Sequence, residues 1–373
     1  MDTYTNKLER MKKTFSFIEP DRIPIFEIFW LEFLKSWRKE KGFGEDADIY
    51  EYYDMDMVLV APNTDPQIES FKLIEKNENY IIFKSGFGCT IKKADYCPMP
   101  QFIDFSIKSA NDYDKFKLED PNDNRRYFQE SANIISSPGH IVVPSFDEQI
   151  KKYENKIPLC GSVCEGMEKS WRIRSMEGVF MDLLTDRDRF KKFLKRLEDF
   201  EIQVGINQIK MGCDFMIIAG DIAYDKGMFF SPETWREVFK PYLYNMCAAF
   251  KETKPGIKII YHGCGNATAV FDDLIECGVD AYHPLEVKAG IDIIDLKKKY
   301  KNKMAFIGNI DCRDTFPGSK RNLRRELLRK LSAAKGGGYI PSADHSIPAN
   351  VPVENYDYFI RFLRKYGKYP LKL

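Results

Sequence analysis

The sequence predicts an α/β protein, a single (β/α)8 TIM barrel over residues 1–373 with an inserted antiparallel hairpin region at residues 70–110. Three observations lead to this fold class. Eight short apolar runs have the length of buried strands, helical patterns follow most of them, and short polar loops connect the two. A doubly wound sheet would be expected to have fewer strands and a phosphate-binding glycine turn, and no GxGxxG motif occurs here.

The first 110 residues are expected to contain a helix, two barrel strands and the inserted hairpins. A short amino-terminal helix precedes Pro20, and the apolar runs at residues 23–30 and 57–61 have the composition of buried strands. Residues 70–110 mix apolar and polar positions around an Asn-containing turn and a Gly-containing turn, as hairpin strands with one solvated face do. We interpret this region as a hairpin lid.

From about residue 157 onward, strand-like and helical segments alternate. The strand-like runs lie at residues 157–163, 214–219, 257–262, 279–283, 304–308 and 338–341. The helical patterns between and after them lie at residues 186–211, 232–251, 266–277, 292–300 and 319–334. Together with the two early runs this gives the eight strands of one barrel.

Composition and charge restrict the classes of function. Hydrophobic residues make up 44% of the chain and aromatic residues 14%, which excludes a disordered or fibrous protein. A net charge of +1 supplies no long-range field for a polyanion, so we expect neither a nucleic-acid nor a membrane partner. No secretory signal or long apolar segment occurs, so we expect a cytoplasmic protein whose nine cysteines are thiols.

Reactive side chains follow the predicted strands, where a barrel carries its catalytic groups. Three of the four histidines fall at such positions, and the fourth, His140, is given no role. The candidate catalytic residues are Glu165, Asp221 and Tyr224. The candidate substrate-binding residues are Glu27, His283, Glu286, Asn309 and Asp344.

The His-Gly-Cys segment at residues 262–264 is the sharpest local feature. Residues two apart in extended backbone point to the same side, so His262 and Cys264 can meet one metal ion. Zinc accepts nitrogen and sulfur ligands, and a catalytic zinc has three protein ligands and an open position. We predict zinc ligation by His262, Cys264 and His345. The alternatives to His345 are Asp344, Glu286 and Cys312.

Several of these positions also have a purely structural interpretation. A buried thiol beside a hydrogen-bonded imidazole is the alternative to a metal site at residues 262–264. Glu165 and Asp221 can accept a proton, or they can cap the following helices. Glu286 can orient a metal-bound histidine as a hydrogen-bond acceptor. Glu27, the one charge within its apolar run, either points into the cleft or meets a buried partner.

Seven ordered segments of the chain resemble the uroporphyrinogen decarboxylase superfamily, and in particular its cobalamin-dependent methyltransferase branch. The segments lie at residues 20–25 (PDRIPI), 166–184, 212–243, 261–266 (YHGCGN), 278–293, 306–311 (FIGNID) and 336–356. The segments cover nearly the whole chain, and their occurrence in this order is more specific for the superfamily than any one segment alone. The resemblance implies a single TIM barrel of the decarboxylase type with its cleft at the carboxyl ends of the strands.

The sequence departs from both well-known branches of this superfamily. The decarboxylases carry Arg-Gln-Ala-Gly-Arg after the first strand, whereas residues 26–32 (FEIFWLE) contain no arginine, so a porphyrinogen substrate would lose its carboxylate clamp. The methyltransferases use a His-x-Cys pair and a distant Cys as zinc ligands. His262 and Cys264 match the pair, but the distant Cys falls at or beside His345, which speaks against thiol acceptors of the coenzyme M kind.

The resemblance therefore implies a zinc-dependent methyltransferase of an anaerobic demethylation system. It would move a methyl group between a small methyl donor and a corrinoid (cobalamin) cofactor. The corrinoid is expected on a separate corrinoid protein, since no Asp-x-His-x-x-Gly pattern occurs in this chain. The sequence also allows a homodimer.

Two alternative functions are compatible with the sequence. One is a decarboxylase or lyase acting on a smaller acid, whose carboxylate Arg172 and Arg174 would hold. The other is a non-catalytic partner of a corrinoid protein, which would form a complex without turnover.

Overall fold

A parallel β-sheet of seven strands forms the centre of the structure, a computed structural model that describes residues 3–94, 100–132 and 142–372. The order of its strands is β1-β8-β9-β12-β13-β14-β15. Their bounds are β1 (Val58–Val60), β8 (Leu159–Cys164), β9 (Phe215–Ala219), β12 (Lys258–His262), β13 (Ala281–His283), β14 (Ala305–Ile310) and β15 (Tyr339–Ala343). His140 and Cys97 lie outside the described residues.

Three smaller antiparallel sheets accompany the central one. The bounds of their strands are β2 (Phe71–Lys76), β3 (Tyr80–Ser85), β4 (Thr90–Ala94), β5 (Gln101–Asp104), β6 (Ser131–Ala132), β7 (Val142–Val143), β10 (Ala223–Tyr224) and β11 (Gly227–Met228). Strands β2 to β5 pair in chain order as one four-stranded sheet, which occupies the region expected to form antiparallel hairpins. That this sheet acts as a lid stays a prediction.

Helices surround the central sheet and connect its strands. Their bounds are α1 (Tyr4–Phe15), α2 (Leu31–Lys41), α3 (Ile49–Tyr52), α4 (Arg125–Phe128), α5 (Phe146–Tyr153), α6 (Gly166–Arg174), α7 (Met176–Thr185), α8 (Arg187–Lys210), α9 (Pro232–Val238), α10 (Lys240–Thr253), α11 (Phe271–Glu276), α12 (Ile293–Lys299), α13 (Lys320–Leu331) and α14 (Val353–Tyr366). Within the described ranges, no helix combines the length and the apolar character needed to cross a bilayer.

Both faces of the central strands are buried, which explains why the sequence shows continuous apolar runs there and not alternation. In β9, Phe215 and Ile217 join one apolar cluster, while Met216 and Ile218 join another. The first cluster also contains Phe15 of α1, whose ring meets that of Phe215 at a centroid distance of 5.8 Å. The period of two along each strand therefore separates an inner core from an outer core beneath the helices.

The prediction of a strand at residues 23–30 was wrong. This segment is extended, but among the described residues it makes only one ladder bridge, from Phe29 to Ile347, beside β15. Pro24 has no backbone N–H to donate, and the side chain of Asp56 accepts the N–H of Ile25 in place of a ladder partner. The carboxylate of Glu27 accepts from the backbone nitrogen of Ala343 at 2.9 Å. Side chains thus replace much of the backbone pairing that an eighth strand would make.

Two predicted helices also have different bounds. The pattern at residues 232–251 divides at Phe239 into α9 and α10, because Pro241 in the first turn of α10 cannot donate to the preceding turn. The pattern at residues 266–277 becomes a short 3-10 helix, Thr268–Val270, followed by α11. The chain after residue 262 is therefore free to form a loop beside the strand ends.

Candidate metal-binding active site

The candidate site lies at the carboxyl ends of neighbouring parallel strands. His262 ends β12, and the register of the sheet pairs it with Ala219 of β9 on one side and His283 of β13 on the other. Asp221 follows β9 by two residues, Cys264 follows β12 by two residues, and Glu286 follows β13 by three. Because parallel strands end at one edge, these side chains meet there.

Two groups of possible metal-donor atoms share the thiol of Cys264. The first group consists of Asp221, His262 and Cys264, and the second of Cys264, Glu286 and His345; within each, all donor atoms lie within 4.8 Å of one another. In the part of the chain that the structure describes, the predicted set of His262, Cys264 and His345 is not itself such a group. The structure thus places His262 and His345 in different groups around one sulfur, with two carboxylates as further donors.

The imidazoles of His262 and His283 form a direct pair. Their Nδ1 atoms lie 2.7 Å apart, so one ring must donate a hydrogen atom and the other must accept it. Burial lowers the pKa of both histidines, and the lowering is strongest for His283. If His262 is the donor, its Nε2 carries a lone pair that is available to a metal ion. His283 then carries its proton on Nε2, an atom that is buried without a hydrogen-bond partner.

Carboxylates hold the backbone of the loop that carries Cys264. Asp221 Oδ1 accepts from the backbone nitrogen of Cys264 at 2.8 Å, and Glu286 Oε2 accepts from that of Gly265 at 3.0 Å. Gly265 has a φ of 75°, and a Cβ atom there would lie 2.6 Å from backbone atoms of Tyr224. Only glycine fits this close approach, so the geometry of the site requires glycine at position 265.

Burial and neighbouring carboxylates control the protonation of the Cys264 thiol. Desolvation is the largest cause, and together with the negative charges of Asp221 and Glu286 it raises the pKa of this thiol. Cys264 is therefore a neutral thiol in the metal-free site. A bound divalent cation would reverse this preference, because a coordinated thiol loses its proton.

A pocket of about 390 Å³ opens over these donors. Its lining residues are Asp221, Ala223, Tyr224, Asp225, Cys264, Gly265, Glu286, Lys288 and His345. The Tyr224 side chain is 48% exposed, and its ring stacks on Phe229 at a centroid distance of 6.1 Å. The Lys288 ammonium lies 3.4 Å from Glu286 Oε1. The pocket therefore joins the donor atoms to solvent, with Tyr224 at its mouth.

The donor set fits zinc. Imidazole nitrogen, thiolate sulfur and carboxylate oxygen are all zinc ligands, and the five side chains exceed the three that a catalytic zinc needs. The pairing of His262 with His283 also supplies the outer hydrogen bond that metal-bound histidines usually make. Since the pocket lies directly over the donors, a ligand position can stay open to a substrate.

Glu165 is buried at the end of β8 and forms the N-cap of α6. The Glu165 Oε1 atom accepts from the backbone nitrogen of Glu168 at 3.2 Å, so this side chain caps the helix, as its structural interpretation expected. Its side chain also lies over Gly220, where any Cβ atom would clash with it. Burial raises the pKa of Glu165 to about 8, with smaller contributions from Glu168 and Asp221. A catalytic role for Glu165 stays a prediction.

Three predicted substrate-binding residues have their polar atoms engaged by the backbone. Asn309 donates to Leu285 O and Ile291 O and accepts from the nitrogen of Ile293. The Asp344 oxygens accept from the nitrogens of Val287 and Cys312. Glu27 is fully buried and meets Ala343 and Ile28, so it has a buried partner. These contacts hold the loops after β13, β14 and β15; binding of a substrate by these residues stays a prediction.

Two residues that line the pocket were not predicted from the sequence. Lys288 and Asp225 line the pocket but follow no apolar run directly, so inspection of strand exits does not find them. His283 contacts His262 in the structure, and binding of a substrate by His283 stays a prediction. Each of the two histidines is the last residue of its strand, and the strands are neighbours in the sheet; this was the signal that could have indicated their pairing.

Comparisons with known proteins identify the family of this chain. Residues 81–366 match the family model described as uroporphyrinogen decarboxylase (URO-D). Two curated relatives are both named methylcobamide:CoM methyltransferase MtbA. The one from Methanosarcina mazei is 25% identical over 225 residues, and the one from Methanosarcina acetivorans is 24% identical over 226 residues. Each match covers 60% of this chain and spans only 60% of the length of the relative.

One solved structure is similar over almost the whole chain. It is described as a methyltransferase from Methanosarcina mazei and superposes with a TM-score of 0.66 at 13% sequence identity. The superposition covers 96% of this chain and 98% of the other. At this level of identity, the similarity establishes the fold.

Proposed function

The chain belongs to the uroporphyrinogen decarboxylase family, and within this family we propose that it is a zinc-dependent methyltransferase. It moves a methyl group between a small methyl donor and a corrinoid that a partner protein carries. The observation that carries this proposal is the arrangement around Cys264, whose thiol shares two donor groups with four other side chains. Two relatives named methylcobamide:CoM methyltransferase support the involvement of a corrinoid.

The residues around Cys264 prepare the site for a metal ion. Zinc bound there would act as a Lewis acid on a thiol or on the heteroatom of a methyl donor. His283 fixes the ring orientation of His262 through the bond between their Nδ1 atoms. Asp221 and Glu286 hold the loop at residues 264–265 through its backbone nitrogens. The donors are thus positioned before a substrate arrives, which reduces the reorganisation that the reaction requires.

Glu165 and Asp221 are the residues that we assign to proton transfer. Since burial raises the pKa of Glu165 to about 8, its carboxyl group holds a proton at neutral pH and can supply it to a leaving group. Asp221 lines the pocket. Its Oδ1 accepts from the backbone nitrogen of Cys264, and Oδ2 takes no part in that hydrogen bond. Tyr224, at the mouth of the pocket, is assigned to contact with the substrate.

The remaining parts of the fold have proposed roles as well. Residues 23–30 take the place of an eighth strand beside β15 and close the central sheet toward β1, because Asp56, two residues before β1, donates its backbone N–H to Ile25 O at 2.9 Å. The sheet of β2 to β5 is proposed to be a lid over the strand exits. Of the two arginines that the lyase alternative assigns to a carboxylate, Arg174 is paired with Asp182 at 2.9 Å, which leaves Arg172 for that role.

Metal content and methyl transfer test this proposal together. Protein purified without chelator should contain about one zinc ion per chain, and His262→Ala and Cys264→Ser should lose it. Cys277→Ser is the matched control, because this thiol lies away from the pocket and contacts Lys240 O. Candidate methyl donors are then incubated with cob(I)alamin, and methylcobalamin formation is followed by absorbance. Metal-free wild-type protein would refute zinc dependence, and complex formation with a corrinoid protein without turnover would favour the non-catalytic alternative.

A further inference from the structure

A second cavity, of about 280 Å³, lies between the sheet of β2 to β5 and the carboxyl ends of β1 and β8. Among the described residues, its walls include Asp65 from the loop after β1 and Arg172 from α6. Phe83, Phe87 and Phe102 contribute the wall on the side of the antiparallel sheet. None of these residues lines the pocket over Cys264, so the cavity is a separate feature of the same rim.

The cavity contains two opposite charges that do not form an ion pair with each other. Arg172 donates through Nε and Nη2 to Glu168 Oε1, and no hydrogen bond among the described residues involves its Nη1. The Asp65 carboxylate forms a hydrogen bond with the Ser70 hydroxyl. The positive charges of Lys169 and Arg172 are close enough to interact with it electrostatically, but neither forms a salt bridge with it in the described part of the chain. Burial raises the pKa of Asp65 to about 6. A ligand with two separated charges would complete both groups.

Two of the other polar side chains of the wall are already engaged. Asn63 bonds to the nitrogen of Asp65 and to Ile68 O, and the Ser85 hydroxyl contacts Cys89. Asp65 is the one charged acceptor among the described lining residues, whereas a primary ammonium group is best satisfied by several acceptors. A methylated ammonium group is bound by a carboxylate and aromatic rings, and Asp65 and the three phenylalanines line the cavity. The walls therefore favour an ammonium group that carries methyl groups.

We propose that this cavity binds a small zwitterion, with a methylated ammonium group at Asp65 and a carboxylate at Arg172. The guanidinium lies over the Phe87 ring, 5.4 Å from its centroid, and its Nη1 is the atom that would meet the carboxylate. The volume suits a molecule of about ten non-hydrogen atoms or fewer, at the small end of ligand pockets. Binding of such a compound rests on the cavity alone and does not depend on the proposed function.

The cavity is close to the metal-binding pocket along the strand exits. Cys164 lines the cavity as the last residue of β8, and the next residue, Glu165, lies over Gly220 beside Asp221 of the metal-binding pocket. Glu165 thus separates the two cavities.

Calorimetric titration of the full-length chain tests the inference. The probes are trimethylglycine, its carbon isostere 3,3-dimethylbutanoate, which lacks the cation, and tetramethylammonium, which lacks the carboxylate. Trimethylglycine should bind at least about tenfold more tightly than either single-charge probe, since each charged contact contributes to affinity. Asp65→Asn and Arg172→Met should each weaken its binding by about tenfold or more. Asp104→Asn, in β5 but outside the cavity, is the matched control and should bind as wild type does.

The experiment separates this inference from the proposed function because it is performed with metal-free protein. Circular dichroism of each variant establishes that it is folded, and the comparison of probes on the wild type needs no variant at all. Absence of trimethylglycine binding, or equal binding of 3,3-dimethylbutanoate, would overturn the inference and leave the zinc proposal untouched. Wild-type protein that contains no zinc when it is purified without chelator, but binds trimethylglycine through Asp65, would refute the proposed function alone.

Discussion

Replacement of His283 should weaken zinc binding although His283 is not itself proposed as a ligand. The two Nδ1 atoms of His262 and His283 lie 2.7 Å apart, and His283 is completely buried. In His283→Leu the Nδ1–H of His262 would lose its acceptor, so the ring would be free to turn or to adopt the tautomer that cannot ligate. Loss of such an outer partner typically costs tenfold to hundredfold in metal affinity, or about 1.4 to 2.7 kcal/mol.

Competition with a chromogenic zinc chelator measures this effect. His283→Asn is the matched control, because its side-chain oxygen can accept the hydrogen bond at the position of the lost Nδ1. We expect His283→Leu to bind zinc roughly ten to a hundred times more weakly than wild type, and His283→Asn to recover most of the difference. Equal affinities of wild type and His283→Leu would refute the reasoning, and so would equal losses in the two variants.

Two further predictions concern stability. Gly265→Ala should lower the free energy of unfolding by about 3 kcal/mol or more, because the new Cβ atom would combine a positive φ with a clash against Tyr224. Gly256→Ala, with a φ of 83° and open space, should cost about 1 kcal/mol; equal thermal shifts would contradict the steric argument. Since burial raises the pKa of Glu165 from 4.5 to about 8, the folded protein keeps a proton that the unfolded chain releases, and stability falls as pH rises through that interval. Glu165→Gln should make this fall smaller in urea unfolding measured at several pH values, and an unchanged pH profile would contradict the shifted pKa.

Local sequence patterns were sufficient where the physics is local. The apolar runs located the seven strands of the central sheet, and the rule that polar residues follow them led to Asp221, Cys264 and Glu286. The His-Gly-Cys spacing brought His262 and Cys264 into one donor group, as expected. These predictions depend on the period of the strand and on the direction of parallel strands, both of which a single segment reveals.

The remaining features depend on contacts between distant segments. Residues 23–30 read as a strand, but Pro24 and the buried carboxylate of Glu27 change how this segment pairs with the chain near residue 343. The pairing of His262 with His283 requires the register between β12 and β13, which the sequence of neither strand specifies. His345 comes from beyond β15, so its membership in a donor group without His262 could only be seen in three dimensions.

Zinc K-edge X-ray absorption of the purified protein tests the central claim most directly, because that claim is a zinc ion bound to the sulfur of Cys264. We expect one sulfur neighbour at about 2.3 Å and nitrogen or oxygen neighbours near 2.0–2.2 Å. We also expect the sulfur contribution to disappear in Cys264→Ser and to persist in Cys277→Ser. A wild-type spectrum without sulfur, or a sulfur contribution that survives in Cys264→Ser, would contradict ligation by this thiol.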